Sequence, residues 1–263
     1  MTEGRHVSML TTDSILGSAT WIDIAAKDTV AAAGFYGAVF DWTFHPAGPD
    51  AGSYGTLRKD GKIVAALGPL VDEGATPAWT VYFETPDVEA TAKAVAQAGG
   101  AVRAEPFDAQ DAARMAAVTD PGGAEFALFQ PKALKGLETT SVYGSLGWVE
   151  LQTADPAAAL EFYRGLFGWR GADTQLGDAP YTFVSTSEGD QGNTAFGGVT
   201  AAQEGVGPRW VPYFDVADAD DIVTRVQGAG GTVLVPTVDV PGIGRIAWFA
   251  DTSGATFAVL QPA

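Results

Sequence analysis

The chain has 263 residues, a formal net charge of −17 and no cysteine. That charge repels nucleic acid and anionic membrane surfaces, and the lack of thiols excludes disulfides, thiolate metal sites and cysteine nucleophiles. With 46% of its residues apolar, the chain has the means to bury a core and reads as globular.

Residues 1–17 read as an N-terminal tail. They carry Glu3, His6 and Asp13 and lack the basic start and long apolar run of a secretory signal, and no segment is long enough to cross a bilayer, so residence in the cytoplasm is the expectation. Trp21 to Ala25 then alternates, with Ile22 and Ile24 on one face and Trp21 and Asp23 on the other, which is the period of a strand. Asp28 stands where a helix N-cap belongs, ahead of Phe35, Val39 and Trp42 at helical spacing. That helix buries its aromatic stripe on the Ile22/Ile24 face and leaves Trp21 and Asp23 pointing away from it.

Short strands are expected around Tyr54 to Leu57 and Ile63 to Leu67, joined by a turn at Lys59-Asp60-Gly61. Trp79 to Glu84 alternates again, Pro86-Asp87 opens a second helix, and Ala98-Gly99-Gly100 closes it. Strands near Ala101 to Ala104, Arg114 to Thr119 and Ala124 to Gln130 follow. The stretch from Lys132 has no periodicity and reads as a linker.

The chain then starts again. Trp21-Ile-Asp-Ile-Ala-Ala-Lys-Asp28, Phe35-Tyr36 and Phe40-Asp-Trp42 recur as Trp148-Val-Glu-Leu-Gln-Thr-Ala-Asp155, Phe162-Tyr163 and Phe167-Gly-Trp169, at a constant offset of 127 residues. Tyr54 matches Tyr181 at the same offset; from Trp79 and Trp210 onward the offset is 131. The four extra residues fall between Tyr181 and Trp210, in the Gly-rich stretch from Gly189 to Gly207. Two copies of one unit follow: a domain over 18–131, a linker over 132–144 and a second domain over 145–263.

The strand-Asp-helix-Phe-Tyr opening with its Phe-x-Trp end, and the closing Asp120-Pro-Gly-Gly-Ala-Glu-Phe126 and Asp251-Thr-Ser-Gly-Ala-Thr-Phe257, resemble the vicinal oxygen chelate superfamily of glyoxalase, bleomycin-resistance and dioxygenase-like proteins. The resemblance is closest to its two-domain actinobacterial members, often labelled hydroxylases or antigens. It implies an α+β fold of two tandem domains, each of two βαβββ units curled into an incomplete barrel with a cleft. Catalytic members hold a divalent ion in that cleft through His, Gln or Glu. The corresponding positions here carry Trp21 and Trp148, Thr80 and Val211, and Ala127 and Ala258, and the remaining position falls near Ala65 in one copy and Gly197 in the other. None of these binds a metal, and the two histidines, His6 and His45, read as solvated surface residues, so the expectation is no metal and no cofactor.

By strand alternation the clefts receive rings and carboxyls instead: Trp21, Asp23, Tyr54, Tyr82 and Glu125 in the first, and Trp148, Glu150, Gln152, Tyr181 and Tyr213 in the second. Flat rings with one polar handle each suit an aromatic or polycyclic ligand. The alternative is that Trp21 and Trp148 plug the barrels. Asp23 and Glu150 are the acid/base candidates, since desolvation raises a carboxyl toward neutrality; the alternative is pairing with Arg114 and Arg245, which also match at offset 131. Differences between the copies, such as Ala25 against Gln152 and Glu125 against Thr256, suggest one working and one structural cleft. The expected partner is an aromatic or polycyclic small molecule, bound by a monomer or homodimer without nucleic acid or membrane. The expected role is metal-independent binding in bacterial secondary metabolism or self-resistance. The alternative is a cofactor-independent isomerase, cyclase or lyase that uses Asp23 or Glu150.

Overall fold

The computed structural model describes residues 10–48, 53–71, 74–177, 179–186 and 194–263. His6 and residues 187–193 of the Gly-rich insertion lie outside them. In the first repeat the elements run β1 (Ala19–Ala26), α1 (Thr29–Phe40), β2 (Thr43–Pro46), β3 (Gly55–Lys59) and β4 (Lys62–Pro69), then β5 (Ala78–Glu84), α2 (Val88–Gln97), β6 (Ala101–Ala109), β7 (Ala113–Thr119) and β8 (Glu125–Pro131). The second repeats the series as β9 (Leu146–Thr153), α3 (Pro156–Phe167), β10 (Arg170–Leu176), β11 (Ala179–Ser185) and β12 (Gly197–Ala201), then β13 (Arg209–Asp215), α4 (Ala219–Gly228), β14 (Thr232–Val240), β15 (Gly244–Ala250) and β16 (Thr256–Pro262).

Each repeat makes one eight-stranded sheet, ordered β2-β3-β4-β1-β5-β8-β7-β6 in the first and β10-β11-β12-β9-β13-β16-β15-β14 in the second. The two βαβββ units of a sheet meet where β1 runs antiparallel to β5, and β9 to β13. The local signals act as expected. The Asp28 carboxylate accepts from the amides of Val30 and Ala31 at 3.0 and 2.9 Å, and Asp87 from Ala90 at 2.9 Å, satisfying N-terminal donors that the helices leave open. Asp60 and Gly61 both take positive φ, 51° and 80°, as a tight hairpin requires. The strand reading missed β2, a half-exposed edge strand whose four residues end in proline and show no alternation.

The helices lie between the two sheets, where they build one core from both repeats. Phe35 stacks edge-on against Phe257 of the other repeat at 6.2 Å, and Phe126 against Phe162 at 6.3 Å. Two matching polar clasps lock this layer. The Tyr36 hydroxyl takes a bond from the Trp79 indole (3.0 Å) and donates to Asp251 (3.0 Å); Tyr163 takes one from Trp210 (2.9 Å) and donates to Asp120 (3.1 Å). Asp120 and Asp251 open the repeated closing motifs, and each also accepts amides of its own turn, from Ala124 at 2.8 Å and from Ala255 at 3.0 Å. The motif's aspartate is therefore a turn cap and a cross-repeat acceptor at once. The Trp42 indole donates to the Gly144 carbonyl and Trp169 to Gly17, both at 2.8 Å, which docks the linker and the end of the expected tail.

Candidate functional site

Because the helices cover one face of each sheet, the opposite face is left concave. Register fixes what it carries. Across β9 and β13, Trp148 stands opposite Tyr213, Glu150 opposite Val211, and Gln152 opposite Arg209. Ala258 lies beside Tyr213, with Trp248 beyond it. In the first repeat Trp21 faces Tyr82 and Asp23 faces Thr80, with Ala127 beside Tyr82.

In the second repeat this face holds a partly open pocket of about 60 Å³. Its lining is Trp148, Glu150, Leu176, Tyr181, Phe183, Tyr213, Val240, Ile243, Ile246 and Leu260, nearly all apolar. Glu150, only 7% exposed, is the carboxyl on this wall. Its neighbours donate toward it from both ends: Tyr181 at 3.1 Å, itself bonded by the Trp148 indole at 2.9 Å, and Gln152 at 3.2 Å, whose amide oxygen takes the Arg209 Nε at 3.3 Å. Tyr213 bonds the same carboxyl. Burial outweighs these donors and pushes Glu150 up to about 7.

The first repeat carries the same design with its space taken up. Phe129 stacks on Trp21 with centroids 6.0 Å apart, and Trp21 is 1% exposed. The residue matching Phe129 at offset 131 is Leu260, which leaves room for the cavity. Tyr82 donates to Asp23 at 2.7 Å, and burial raises that carboxyl to about 6. The tyrosines differ for a backbone reason. Gly198, beside Glu150, has no Cβ, and one built there would collide with the Tyr181 ring and hydroxyl that lie across it. The residue beside Asp23 is Ala66, and there the Tyr54 ring lies over Gly68 instead. The Trp148 indole donates to Tyr181 at 2.9 Å, and in the first repeat Trp21 likewise has Tyr54 as its polar neighbour.

The strand residues beside Asp23 and Glu150 are Ala66 and Gly198, each next to the position expected near Ala65 and Gly197. Two expectations need correction. Arg114 and Arg245 do not pair with the buried carboxyls: Arg114 bonds Glu89 and Asp108, and Arg245 bonds Asp220 and Asp239, all at the surface. Glu125 is 61% exposed and forms an ion pair with Arg103 at 3.3 Å, so it sits at the rim rather than in the floor. Sequence reading also missed Arg209, Trp248 and the apolar wall from Leu176, Val240, Ile243 and Ile246. Arg209 against Ala78, at offset 131, was the available signal.

The residues present do not fit a divalent ion. Among the described residues no three His, Asp or Glu side chains converge; Glu150 is surrounded by phenols and an amide whose oxygen is engaged by Arg209. Three or four anionic or imidazole donors at bonding distance are what such a site needs. Nor does any described helix have the length and hydropathy to cross a membrane.

Comparison with known proteins agrees with this architecture. The chain is 38% identical over 260 residues to the anthracycline biosynthesis protein DnrV of Streptomyces peucetius, covering 93% of each chain. It is 34% identical over 253 residues to the putative glyoxylase CFP32 of Mycobacterium bovis, covering 94% of this chain and 95% of that one. Among solved structures, the 2,3-dioxygenase LapB of Pseudomonas aligns with a TM-score of 0.65 at 12% identity over 95% of this chain and 93% of its own, a likeness of fold. The profile of the Glyoxalase/Bleomycin resistance protein/Dioxygenase superfamily matches residues 18–128 and again 145–259, one match per sheet, and the chain belongs to that superfamily.

Proposed function

We propose that the second repeat binds an aromatic or polycyclic small molecule without a metal ion, as a step in bacterial secondary metabolism or self-resistance. The cavity walled by Trp148, Tyr181, Phe183 and Tyr213 carries this reading. Its rings offer stacking area on a partly open face, with a single buried carboxyl to orient a polar substituent. The kinship with DnrV, named for anthracycline biosynthesis, supports a tetracyclic aromatic as the class of ligand. The first repeat, with Phe129 on Trp21, serves as scaffold. Titration with an anthracyclinone, followed by tryptophan quenching, tests this: Trp148→Ala abolishes the quench and Trp21→Ala leaves affinity unchanged. An affinity that depends on Trp21 and not on Trp148 overturns it.

A second reading is favoured by Glu150 alone. A carboxyl poised at about 7 exchanges a proton with ligand near neutrality, as a cofactor-independent isomerase, cyclase or lyase requires. In that case Glu150→Gln binds the ligand but does not convert it. Unchanged turnover in Glu150→Gln removes this role.

A further inference from the structure

Arg209 stands out among the cations of this acidic chain. It lies on the concave face of the second sheet, at the end of β13, opposite Gln152 and one side-chain step beyond the Glu150 rung. Its guanidinium sits 5.8 Å from the centroid of the Trp248 ring, and Trp248 packs edge-on against Tyr213 at 5.6 Å, a residue of the cavity wall. Burial lowers its pKa, while Glu150 and Tyr213 are both close enough to act on it. Its hydrogen bonds go to neutral groups, Gln152 at 3.3 Å and Thr256 at 3.5 Å. An arginine has five N–H donors in a rigid fork; these two bonds engage Nε and Nη1 and leave Nη2 without a partner among the described residues.

Arg58, in the β3–β4 hairpin of the first sheet, also has only neutral partners, Thr56 and the Gly61 carbonyl, but other arginines are matched by carboxylates. Arg103 of the first repeat has Glu125 as a counter-ion at 3.3 Å. Arg114, Arg225 and Arg245 likewise have carboxylates. Arg209 is half-buried with no carboxylate of the described residues within ion-pair distance, and the matching position of the first repeat, Ala78, has no charge at all.

The geometry points to Arg209 as an anion-binding group at the end of the second concave face, so that its ligand is an aromatic or polycyclic acid whose carboxylate takes the guanidinium while its rings lie along the apolar wall. The span fits: Tyr213 to Arg209 is four strand residues, about 13 Å, and an elongated fused-ring acid bridges the ring-lined pocket and the guanidinium. Burial pushes Glu150, on the rung between, up to about 7, which reduces but does not remove its repulsion of such an acid near neutrality. Gln152 fixes the guanidinium plane by holding Nε, and Trp248 backs its face.

This inference rests on the cleft reading above, and the test separates the two. The full chain is titrated with anthraquinone-2-carboxylic acid and with its methyl ester, which share the ring system and differ in the anion. The inference predicts that the acid binds roughly tenfold or more tightly than the ester, as a charge-assisted hydrogen bond allows. Raising the salt concentration weakens the acid selectively. In Arg209→Met, which keeps an apolar stem over Trp248, the preference disappears while the ester binds as before; Arg209→Lys retains part of it. Thermal unfolding midpoints confirm that both variants fold. Equal affinities of acid and ester, or a preference that survives Arg209→Met, overturn the inference while leaving the cleft reading intact. Failure of both compounds to bind refutes the cleft reading and this inference with it.

Discussion

Gly198→Ala probes the device that distinguishes the two concave faces. The new methyl group occupies the space of the Tyr181 ring edge and hydroxyl. The obstructing atoms belong to the outer end of one side chain, so the ring swings aside rather than the backbone, toward the arrangement Tyr54 adopts beside Ala66. Overpacking that a single rotamer relieves costs about 1–2 kcal/mol of stability. The functional cost is larger. Glu150 loses the 3.1 Å bond from Tyr181, and Trp148 loses its 2.9 Å partner. A hydrogen bond to an ionised group contributes about 1.5–3 kcal/mol, so the charged form of Glu150 is disfavoured further and its midpoint rises by about one unit or more. Carboxyl carbon NMR of Glu150 across pH, set beside denaturant unfolding, reads both quantities. A folded variant whose Glu150 titrates as in the wild type refutes the argument that the missing Cβ positions Tyr181.

Stability depends on pH in an uncommon direction. Burial raises Asp23 to about 6 and Glu150 and Asp215 to about 7, above their unfolded values, so the folded state holds more protons across that window. Their contribution is full below about pH 4 and is lost as pH climbs to 7. Urea midpoints therefore fall between pH 5 and 7.5, and Glu150→Gln flattens the slope; midpoints that rise over this range contradict it. Tyr163→Phe leaves the Trp210 indole and the buried Asp120 each one bond short and destabilises the protein by about 2–4 kcal/mol; a loss below about 0.5 kcal/mol, measured by denaturant unfolding, counts against a clasp between repeats. Leu260→Phe, which gives the second cleft the residue at the matching place of the first, fills the cavity and blocks ligand binding with little change in thermal midpoint, and unaltered affinity in a calorimetric titration places the ligand elsewhere.

The repeat made the fold legible. Alternation at Trp21 to Ala25, the Asp28, Asp87 and Asp155 caps and the paired closing motifs each acted locally as the sequence implied, because caps and strand parity depend on neighbours in the chain. The facing of Trp148, Glu150 and Gln152 into one cleft followed from the same parity. What stayed hidden depends on register and on volume. Whether a ring plugs or lines a cleft turned on Phe129 against Leu260, and the reach of a tyrosine turned on Ala66 against Gly198, differences of a few atoms that no periodicity marks. Arg114 and Arg245 each find one counter-ion on the paired strand, Asp108 and Asp239, and one on a helix 25 residues away, Glu89 and Asp220, and these hold both arginines at the surface. The aromatic helix stripe concealed the fact that the two repeats share one core.

Affinity for an anthracyclinone, compared between protein exhaustively treated with a chelator and the same protein resupplied with manganese, zinc or iron(II), bears most directly on the account. The rings and protonatable carboxyl of the second cleft predict one dissociation constant under all four conditions. Binding that is absent after chelation and restored by any one of these ions contradicts it.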